Sequence, residues 1–389
     1  MSNNAFLRQA ILDKQLKTLG YEFLYDAIPQ QKEESIEELL AKISNHTQAY
    51  IDCTSRIEAD NYDFLEIITE QNVIFVIRTD KLPQDSLVRI VQRIKEKGFK
   101  VAIASNNLTA TDAPLIELID IVKLDMLQLT EQEFQRAIQL IKKYKKLVYA
   151  EKVESHMALE LCKKLAIDGF QGEFLTSPNL GNNTKNKNNG LVLMQLLNKL
   201  QDPGVALEEV EIALSHDPRL AFKLLRVVNS PAYGLRRKIE SLRDAVIYIG
   251  LHQVRRWVSM LAMGNVEGKP LELMTTAMIR ARMCELLAEK YNYEDRSGYF
   301  TAGLFSTLDA LFDEDMSKLL ADIYLADHIK QALIAHQGCM GELLAKVINY
   351  EKADWSIFSE NKQYQEFSEA YINSLAWADE CSNQLYGMQ

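Results

Sequence analysis

Charged side chains that can carry out chemistry stand in or beside short apolar segments of the amino-terminal half. They are Glu22, Asp52, Lys123, Asp125 and Glu151. Carboxylates are the oxygen ligands that divalent cations prefer, whereas carboxylates beside a lysine neutralise its charge as ion pairs. Which of these two arrangements forms depends on the elements that bring the side chains together.

Short apolar runs rich in β-branched residues alternate with amphipathic segments before residue 178. The runs predict strands at Tyr50–Cys53, Val73–Ile77, Val101–Ile103, Ile121–Leu124 and Leu147–Tyr149. Apolar residues spaced by three and four predict helices at 36–43, 87–94 and 134–141, and Gly98 fits a helix end. This alternation predicts a parallel α/β domain. Two earlier strands, near Ala10–Leu12 and Tyr21–Leu24, are only a few residues apart and predict an antiparallel hairpin.

Residues 191–389 show helical patterns and no predicted strand, so this half is predicted to be all-α. The helices are expected at 191–200, 220–228, 245–249, 254–261, 272–290, 299–312, 317–322 and 328–348. Ser241 and Asp244 predict a capping box ahead of one helix, and Gly250 interrupts the segment that follows. Residues 179–190 hold six Asn and two Gly, which predicts a linker or, alternatively, a long surface loop within one domain.

The composition is that of a soluble globular protein of two or three domains, with 389 residues, 47% apolar and 25% charged. No apolar run reaches the ~18 residues of a membrane helix, and the first residues lack a signal-peptide core, so we expect a cytoplasmic protein without membrane contact. The formal charge is −10, with −3 in residues 1–190 and −7 in residues 191–389, which argues against nucleic-acid binding. Five cysteines without a Cys-x-x-Cys pair predict reduced, buried thiols.

Two further features of the sequence resemble binding sites. The His216-Asp217 doublet leads directly into Pro218, so we interpret it as a helix break with Asp217 as a cap rather than as a metal site. The six histidines lack ligand spacing, and nucleophile-elbow, P-loop and dinucleotide-binding motifs are absent. Two basic clusters, 236–238 and Arg255-Arg256, flank a helix-Gly-helix pattern. We expect a solvated face with internal ion pairs there, with DNA, an acidic protein surface or a phosphate ligand as alternatives.

Four short motifs in the first half resemble the EAL domain over residues 5–178. They are Gly20-Tyr-Glu-Phe-Leu24, Lys123-Leu-Asp125, Ala150-Glu-Lys-Val-Glu154, and Gly169-Phe-Gln-Gly172 followed by Pro178. The resemblance implies a (β/α) barrel of the kind that hydrolyses cyclic di-GMP with two divalent metal ions. A full barrel of this type needs about 200–250 residues, so the barrel is expected to be trimmed.

The resemblance also allows the family's metal ligands to be compared with this sequence. Two divalent cations about 4 Å apart repel each other by ~17 kcal/mol at an effective dielectric near 20, so several acids are needed. Glu22 is retained, and Asp52 takes the place of an Asn. The family's second Glu would align near Ile77 or Arg78, and its Asp-Asp pair would align with Ala104-Ser105. At least three of the family's acidic ligands are therefore missing from this sequence.

We therefore expect that hydrolysis is lost, that the chain is not an enzyme, and that it holds no metal and no cofactor. The vestigial family positions are Glu22, Asp52, Lys123, Asp125, Glu151 and Gln171. Lys123 is expected to form an ion-pair network with Glu22, Asp125 or Glu151 inside the barrel mouth, because unpaired buried charge is costly.

The second half resembles the HDOD domain, a helical relative of HD phosphohydrolases that lacks their catalytic residues. The resemblance rests on Asp217–Leu220, Leu224–Gly234 and Ala245–Gly250, and the segments 280–287 and 302–309 are similar to the subgroup in which HDOD follows a degenerate EAL domain. The metal doublet of HD enzymes would fall at about Ser306-Thr307, which cannot replace it.

The predicted architecture is α/β plus all-α: a trimmed TIM-like (β/α) barrel over 1–178, an Asn-rich linker over 179–190 and an HD-related helical bundle over 191–389. The predicted function is non-catalytic signal transduction through contact with an unidentified protein. The alternatives are a metal-independent cyclic di-GMP receptor and a residual phosphodiesterase that uses Glu22, Asp52 and Asp125. By resemblance we also expect homodimers and, under the receptor alternative, weak binding of a cyclic dinucleotide.

Overall fold

A computed structural model describes the greater part of the chain. The described residues are 6–25, 47–68, 72–106, 108–180, 187–206, 209–210, 212, 218–230, 233, 239–264, 266–321, 323–358 and 361–386. The chain divides into two compact units, residues 1–175 with 360–368, and residues 176–359 with 369–389. The predicted domain boundaries at 178 and 190 remain predictions.

The first unit is a closed barrel built from eight strands of the described residues, which follow one another in chain order. The strands are β1 Phe6–Leu12, β2 Thr18–Tyr25, β3 Gln48–Asp52, β4 Val73–Arg78, β5 Lys100–Ala104, β6 Ile121–Asp125, β7 Leu147–Glu151 and β8 Gly169–Phe170. β1 and β2 are antiparallel, with Gln9 opposite Glu22, and each later strand is parallel to the one before it. The predicted hairpin and α/β barrel are therefore confirmed.

Amphipathic helices follow most of the parallel strands. They are α1 Thr54–Glu58, α2 Phe64–Ile67, α3 Gln84–Glu96, α4 Ala113–Leu118, α5 Glu131–Lys143 and α6 His156–Lys164. Leu87, Val91 and Ile94 form the buried stripe of α3, and Gly98 follows it with φ +87°, as predicted for a helix end. The helix predicted around 36–43 lies outside the described residues.

Apolar side chains and two tyrosines fill the barrel interior. The cluster contains Ile11, Tyr50, Ile74, Val76, Ala102, Ala104, Ile121 and Tyr149. The hydroxyl oxygens of Tyr50 and Tyr149 lie 3.1 Å apart, so these two polar groups pair with each other inside the barrel. A packed interior of this kind leaves the carboxyl ends of the parallel strands as the place where polar side chains collect.

The second unit consists of helices, with no strand among its described residues. They are α7 Lys187–Gln201, α8 Pro218–Val228, α9 Leu242–Ile249, α10 Leu251–Met263, α11 Leu271–Lys290, α12 Arg296–Phe305, α13 Leu308–Phe312, α14 Met316–Ala321, α15 Asp327–Ala335, α16 Gly338–Glu351 and α17 Asn361–Tyr386, of which residues 361–368 are grouped with the first unit. The predicted cap is present, because the Asp244 N–H donates to Ser241 Oγ at 3.0 Å, and Gly250 separates α9 from α10 with φ +82°. The all-α prediction is confirmed.

Some sequence expectations need correction. The segment 299–312 is two helices that break at Ser306 and Thr307, and the segment 328–348 breaks where His336 adopts φ +51°. Residues 187–190, predicted as linker, lie in α7, and 181–186 lie outside the described residues. Four cysteines are buried as expected, but Cys339 is exposed. Within the described part of the chain, no helix is long and apolar enough to span a membrane.

Candidate functional site

The candidate site lies at the carboxyl ends of the parallel barrel strands, and we call it the barrel mouth. Six of its residues were expected from the sequence: Glu22 on β2, Asp52 on β3, Lys123 and Asp125 on β6, Glu151 on β7 and Gln171 directly after β8. The structure adds Arg78, the last residue of β4. Because neighbouring strands end at one rim of the barrel, residues far apart in sequence meet there.

Lys123 is the buried centre of the mouth. Its Nζ lies 2.8 Å from Glu22 Oε2 and 2.5 Å from Glu151 Oε1, and it donates to Gln171 Oε1 at 3.2 Å. The Gln171 amide in turn donates to Glu22 Oε2 at 2.7 Å and to Gln9 Oε1 at 2.9 Å. One ammonium group therefore ties together side chains from β2, β7 and the end of β8.

Arg78 is the second cation of the mouth. Its Nε donates to Asp52 Oδ2 at 2.8 Å, Nη2 lies 3.6 Å from Glu22 Oε1, and Nη1 lies 3.7 Å from Glu151 Oε2. Its guanidinium thus faces carboxylates from three strands. The hydrogen bond to Asp52 is charge-assisted, and the two longer contacts are Coulombic.

Thr54, at the start of α1, forms hydrogen bonds with both Asp52 and Arg78 and so fixes their positions. Its hydroxyl donates to Asp52 Oδ1 at 2.5 Å and accepts the Arg78 backbone N–H at 2.9 Å. The Thr54 N–H also donates to Asp52 Oδ1 at 2.9 Å. The side chain is buried, so its hydroxyl fixes the carboxylate through bonds that water does not replace.

Asp125 belongs to a separate group of contacts at the edge of the mouth. Its carboxylate accepts from the Leu127 N–H at 2.9 Å and from Gln128 Nε2 at 3.0 Å, and Lys152 Nζ lies 2.7 Å away. Lys152 adopts φ +55°, a left-handed conformation that favours glycine. Lys123 therefore pairs with Glu22 and Glu151, while Asp125 pairs with Lys152.

Electrostatic coupling keeps the central groups ionised. Burial opposes the charge of Lys123, but Glu151 and Glu22 outweigh it and raise the pKa of this lysine above its ordinary value. Burial likewise opposes the charge of Glu151, but Lys123 and Arg78 outweigh it and lower the pKa of this carboxyl. The pKa of Arg78 is raised, because Glu151, Glu22 and Asp52 outweigh its desolvation. Lys123, Glu151 and Arg78 are therefore charged near neutral pH.

The charged groups are layered by exposure. Glu22 is only 1% exposed, and Lys123, Asp125 and Glu151 are also buried. The side chains of Arg78 and Lys152 are 30% and 54% exposed, and that of Asp52 is 25% exposed. Two of the three charged groups that solvent reaches are thus cations, and most of the acids lie beneath them.

The metal pair implied by the EAL resemblance does not fit these residues. The acids are engaged by cations, Asp52 by Arg78 and Glu151 by Lys123, and neither Ala104 nor Ser105 supplies a carboxylate. Within the described part of the chain, no group of three His, Cys, Asp or Glu side chains is arranged to hold a metal ion. Two buried carboxylate oxygens of the mouth, Glu22 Oε1 and Glu151 Oε1, lack a hydrogen bond of good geometry among the described residues. Glu151 Oε1 nevertheless lies 2.5 Å from Lys123 Nζ, as an ion pair.

Sequence reasoning missed three residues of the mouth: Arg78, Thr54 and Lys152. Arg78 was noted only as a place where an acid is missing, Lys152 only as part of a quoted motif, and Thr54 not at all. A basic residue at a strand end next to retained acids is the signal that could have identified Arg78 as their counter-ion.

In the second unit, the resemblance aligns Ser306-Thr307 with the metal doublet of HD enzymes. Ser306 belongs to a hydrogen-bond network centred on an arginine. Arg280, buried on α11, donates to Ser306 Oγ at 2.9 Å and pairs with Glu351 at 2.7 Å. Thr307 is buried beside it in sequence. This arrangement joins α11, the end of α12 and α16 by charge-assisted bonds.

The Arg255-Arg256 cluster has partners within the second unit. Arg255 donates to the Asp202 carbonyl at 2.9 Å. Arg256 binds Glu285 through two bonds of 2.8 and 2.9 Å and lies over the Phe300 ring at 3.5 Å. The Arg256–Glu285 pair agrees with the expected internal ion pairs, but the expected solvated face is wrong for Arg256, whose side chain is only 14% exposed. His216-Asp217 and 236–238 lie outside the described residues.

Comparison with known proteins gives matches over both halves. Residues 190–345 match the family model of the HDOD domain. The chain is 28% identical to the protein named cyclic di-GMP phosphodiesterase CdgJ of Vibrio cholerae, over 90% of this chain and 85% of that protein. It is 24% identical to the uncharacterised protein YuxH of Bacillus subtilis, over 95% and 97%. A crystal structure of the Pseudomonas aeruginosa FimX EAL domain bound to c-di-GMP matches 44% of this chain and 89% of that one, with 14% identity and a TM-score of 0.35.

These findings confirm the resemblance to an EAL barrel followed by an HDOD domain. They contradict the prediction that the chain is not an enzyme, because CdgJ, which aligns with 90% of it, is named as a phosphodiesterase. The prediction was wrong in treating missing acids as missing activity. Glu22, Asp52 and Glu151 still converge at the mouth, so the missing acids do not show that hydrolysis is lost.

Proposed function

We propose that this chain is a cyclic di-GMP signalling protein whose barrel mouth binds the dinucleotide through a phosphate. The proposal is supported by the similarity to CdgJ over most of both chains. It is also supported by the convergence of Glu22, Lys123, Glu151 and Gln171 around one buried centre. A phosphodiester is an anion, so the cations of the mouth are the groups that recognise it.

The observation that carries the proposal is the layering of charge. Arg78 and Lys152 are the exposed cations of the mouth, whereas Glu22 and Glu151 are buried beneath them. A guanidinium offers paired N–H donors that match two phosphate oxygens, and it stays charged at every physiological pH. An incoming phosphate therefore meets Lys152 and Arg78 before it meets the buried Glu22 and Glu151.

The HDOD domain is the proposed output module. In this proposal residues 1–178 receive the nucleotide, and the helical residues 191–389 act through contact with a protein partner in the cytoplasm. A role in protein contact is supported by the helical unit itself. Where HD enzymes have a metal doublet, this unit has the network of Arg280, Ser306 and Glu351.

A second function, hydrolysis of cyclic di-GMP, is favoured by the name of CdgJ. Hydrolysis needs a carboxylate that can take a proton from attacking water, and Asp52 is the mouth carboxylate most open to solvent. Thr54 and Arg78 orient that carboxylate. Lys123 and Arg78 lower the pKa of Glu151, so this carboxylate can stabilise neighbouring cations but does not donate a proton at neutral pH.

One experiment separates the two functions. The full chain is titrated with cyclic di-GMP by calorimetry, in EDTA and then in Mg²⁺ or Mn²⁺, and each mixture is analysed for the linear dinucleotide. Binding in EDTA that weakens in Arg78→Gln, but not in the control Lys97→Gln at an exposed site, supports the proposal. Absence of both binding and product in every buffer contradicts both functions.

A further inference from the structure

We propose that the Arg78 guanidinium is a built-in counter-ion, so that Glu22, Asp52 and Glu151 are held in the native chain without a divalent cation. This inference concerns only the side chains of the mouth and does not depend on the proposed nucleotide. It follows from the disagreement between the metal pair implied by the resemblance and the donors that the structure offers.

Geometry places one guanidinium against three acids. Arg78 extends from β4 and contacts Asp52 on β3 at 2.8 Å, Glu22 on β2 at 3.6 Å and Glu151 on β7 at 3.7 Å. The carboxylates converge on this group from three strands, as they would on a metal ion. The planar guanidinium satisfies Asp52 by a hydrogen bond and the other two by charge.

The buried oxygen Glu22 Oε1 provides an independent observation. It accepts no hydrogen bond among the described residues, although Glu22 is almost completely buried. The Arg78 guanidinium faces this oxygen at 3.6 Å. An ionised oxygen withdrawn from water needs a nearby positive charge, and Arg78 supplies it on this side of the carboxylate.

The charge balance predicts what happens when Arg78 is removed. Glu22, Asp52 and Glu151 carry three negative charges, and Lys123 returns one positive charge. Arg78 leaves the group at −1, whereas a neutral side chain at position 78 leaves it at −2. A single divalent cation matches that second charge, and the carboxylate oxygens released by Arg78 are the ligands it prefers.

The test is binding of Mn²⁺ alone to the full chain, without nucleotide, followed by electron paramagnetic resonance. We expect weak binding to the native chain and to Arg78→Lys, which keeps the charge. We expect Arg78→Gln to bind Mn²⁺ more tightly by about two orders of magnitude, and to lose that gain when combined with Glu22→Gln. The exposed Lys97→Gln variant serves as the matched control.

Three results would overturn the inference. They are native binding as tight as that of Arg78→Gln, a folded Arg78→Gln with no gain, and a gain that persists without Glu22. If Arg78→Gln folds only when Mn²⁺ is present, as followed by circular dichroism, the inference is supported. If Arg78→Gln stays unfolded with Mn²⁺, binding of Mn²⁺ to the native chain is compared with binding to Glu22→Gln. Mn²⁺ binding to the native chain that Glu22→Gln abolishes refutes the inference, and absence of such binding supports it. Because no nucleotide is used, failure here is distinct from failure of the proposed function.

Discussion

Arg78 Nε donates a 2.8 Å hydrogen bond to Asp52 Oδ2, and this bond joins the ends of two neighbouring barrel strands. The same guanidinium faces Glu22 and Glu151, so the mouth is organised around two internal cations, Arg78 and Lys123. The arrangement explains how several buried acids coexist, because each has a positive group within 4 Å. Under the proposed function, the exposed cations Lys152 and Arg78 are the groups that a phosphate meets before the buried Glu22 and Glu151.

Replacing Lys123 with Met should strongly destabilise the barrel. The change leaves Glu22 and Glu151 buried without their central cation, which costs about 3–5 kcal/mol. The three tryptophans, Trp257, Trp355 and Trp377, all lie in the second unit, so far-UV circular dichroism during urea unfolding reports barrel loss that tryptophan fluorescence does not. Adding Glu151→Gln should recover part of the loss.

The matched control for this prediction is Lys152→Met, at a side chain that is mostly exposed. An exposed ion pair is worth about 0–1 kcal/mol, so this variant should remain close to the native chain. Equal destabilisation by the two substitutions would show that Lys123 is not the centre of the network.

The stability of the barrel should depend on pH with two limbs. The pKa of Glu151 is below its ordinary value of 4.5, so its contribution is complete above that value and is lost as pH falls through the lowered pKa. The pKa of Lys123 is above its ordinary value of 10.5, so its contribution is complete below that value and is lost as pH rises through the raised pKa. Between these limits, the contribution of Glu151 and Lys123 to the urea midpoint should not change with pH. In Glu151→Gln, the fall of the urea midpoint at acid pH should be smaller than in the native chain. An unchanged acid limb in that variant would count against the coupling.

Lysine at position 152 should make the folded protein less stable than glycine would in the same backbone conformation. Its φ of +55° favours a residue without Cβ, and the strain costs about 1 kcal/mol. Lys152→Gly and Lys152→Ala both remove the contact with Asp125, but only glycine relieves the strain. The glycine variant should therefore be about 1 kcal/mol more stable than the alanine variant in urea unfolding. Equal stabilities would refute the assignment of strain.

Thr54→Val should disturb the position of Arg78 while keeping the volume of the side chain. The substitution removes the bond to Asp52 and the acceptor of the Arg78 N–H, at about 1–3 kcal/mol for each buried group left unpaired. Under the proposed function, binding of cyclic di-GMP should weaken in Thr54→Val and recover in Thr54→Ser, which keeps the hydroxyl. A merely structural role for Thr54 would lower stability in Thr54→Val but leave nucleotide affinity unchanged.

Much of the fold follows from local patterns in the sequence. Barrel strands such as β4 are buried on both faces, so they read as continuous apolar runs, and Ser241 and Gly250 mark helix boundaries directly. The breaks at Ser306 and His336 carry no such signal. His336 is a non-glycine residue with positive φ, a conformation set by packing rather than by residue type.

The mouth was only partly predictable for a similar reason. Motifs locate Glu22, Lys123, Glu151 and Gln171, because each lies in or directly after a strand that carries a recognisable motif. The partner of Asp52 is 26 residues away on the next strand, and no local spacing announces that contact. The sequence therefore indicates which acids are missing, but only the folded barrel shows which cation faces the acids that remain.

The most direct test of the account is the ³¹P resonance of cyclic di-GMP, recorded with the full chain in EDTA. We predict that the native chain shifts and broadens the phosphate resonance, and that Arg78→Gln does so far less at the same concentration. A resonance unchanged by the native chain, or altered equally by both proteins, would contradict phosphate recognition by Arg78.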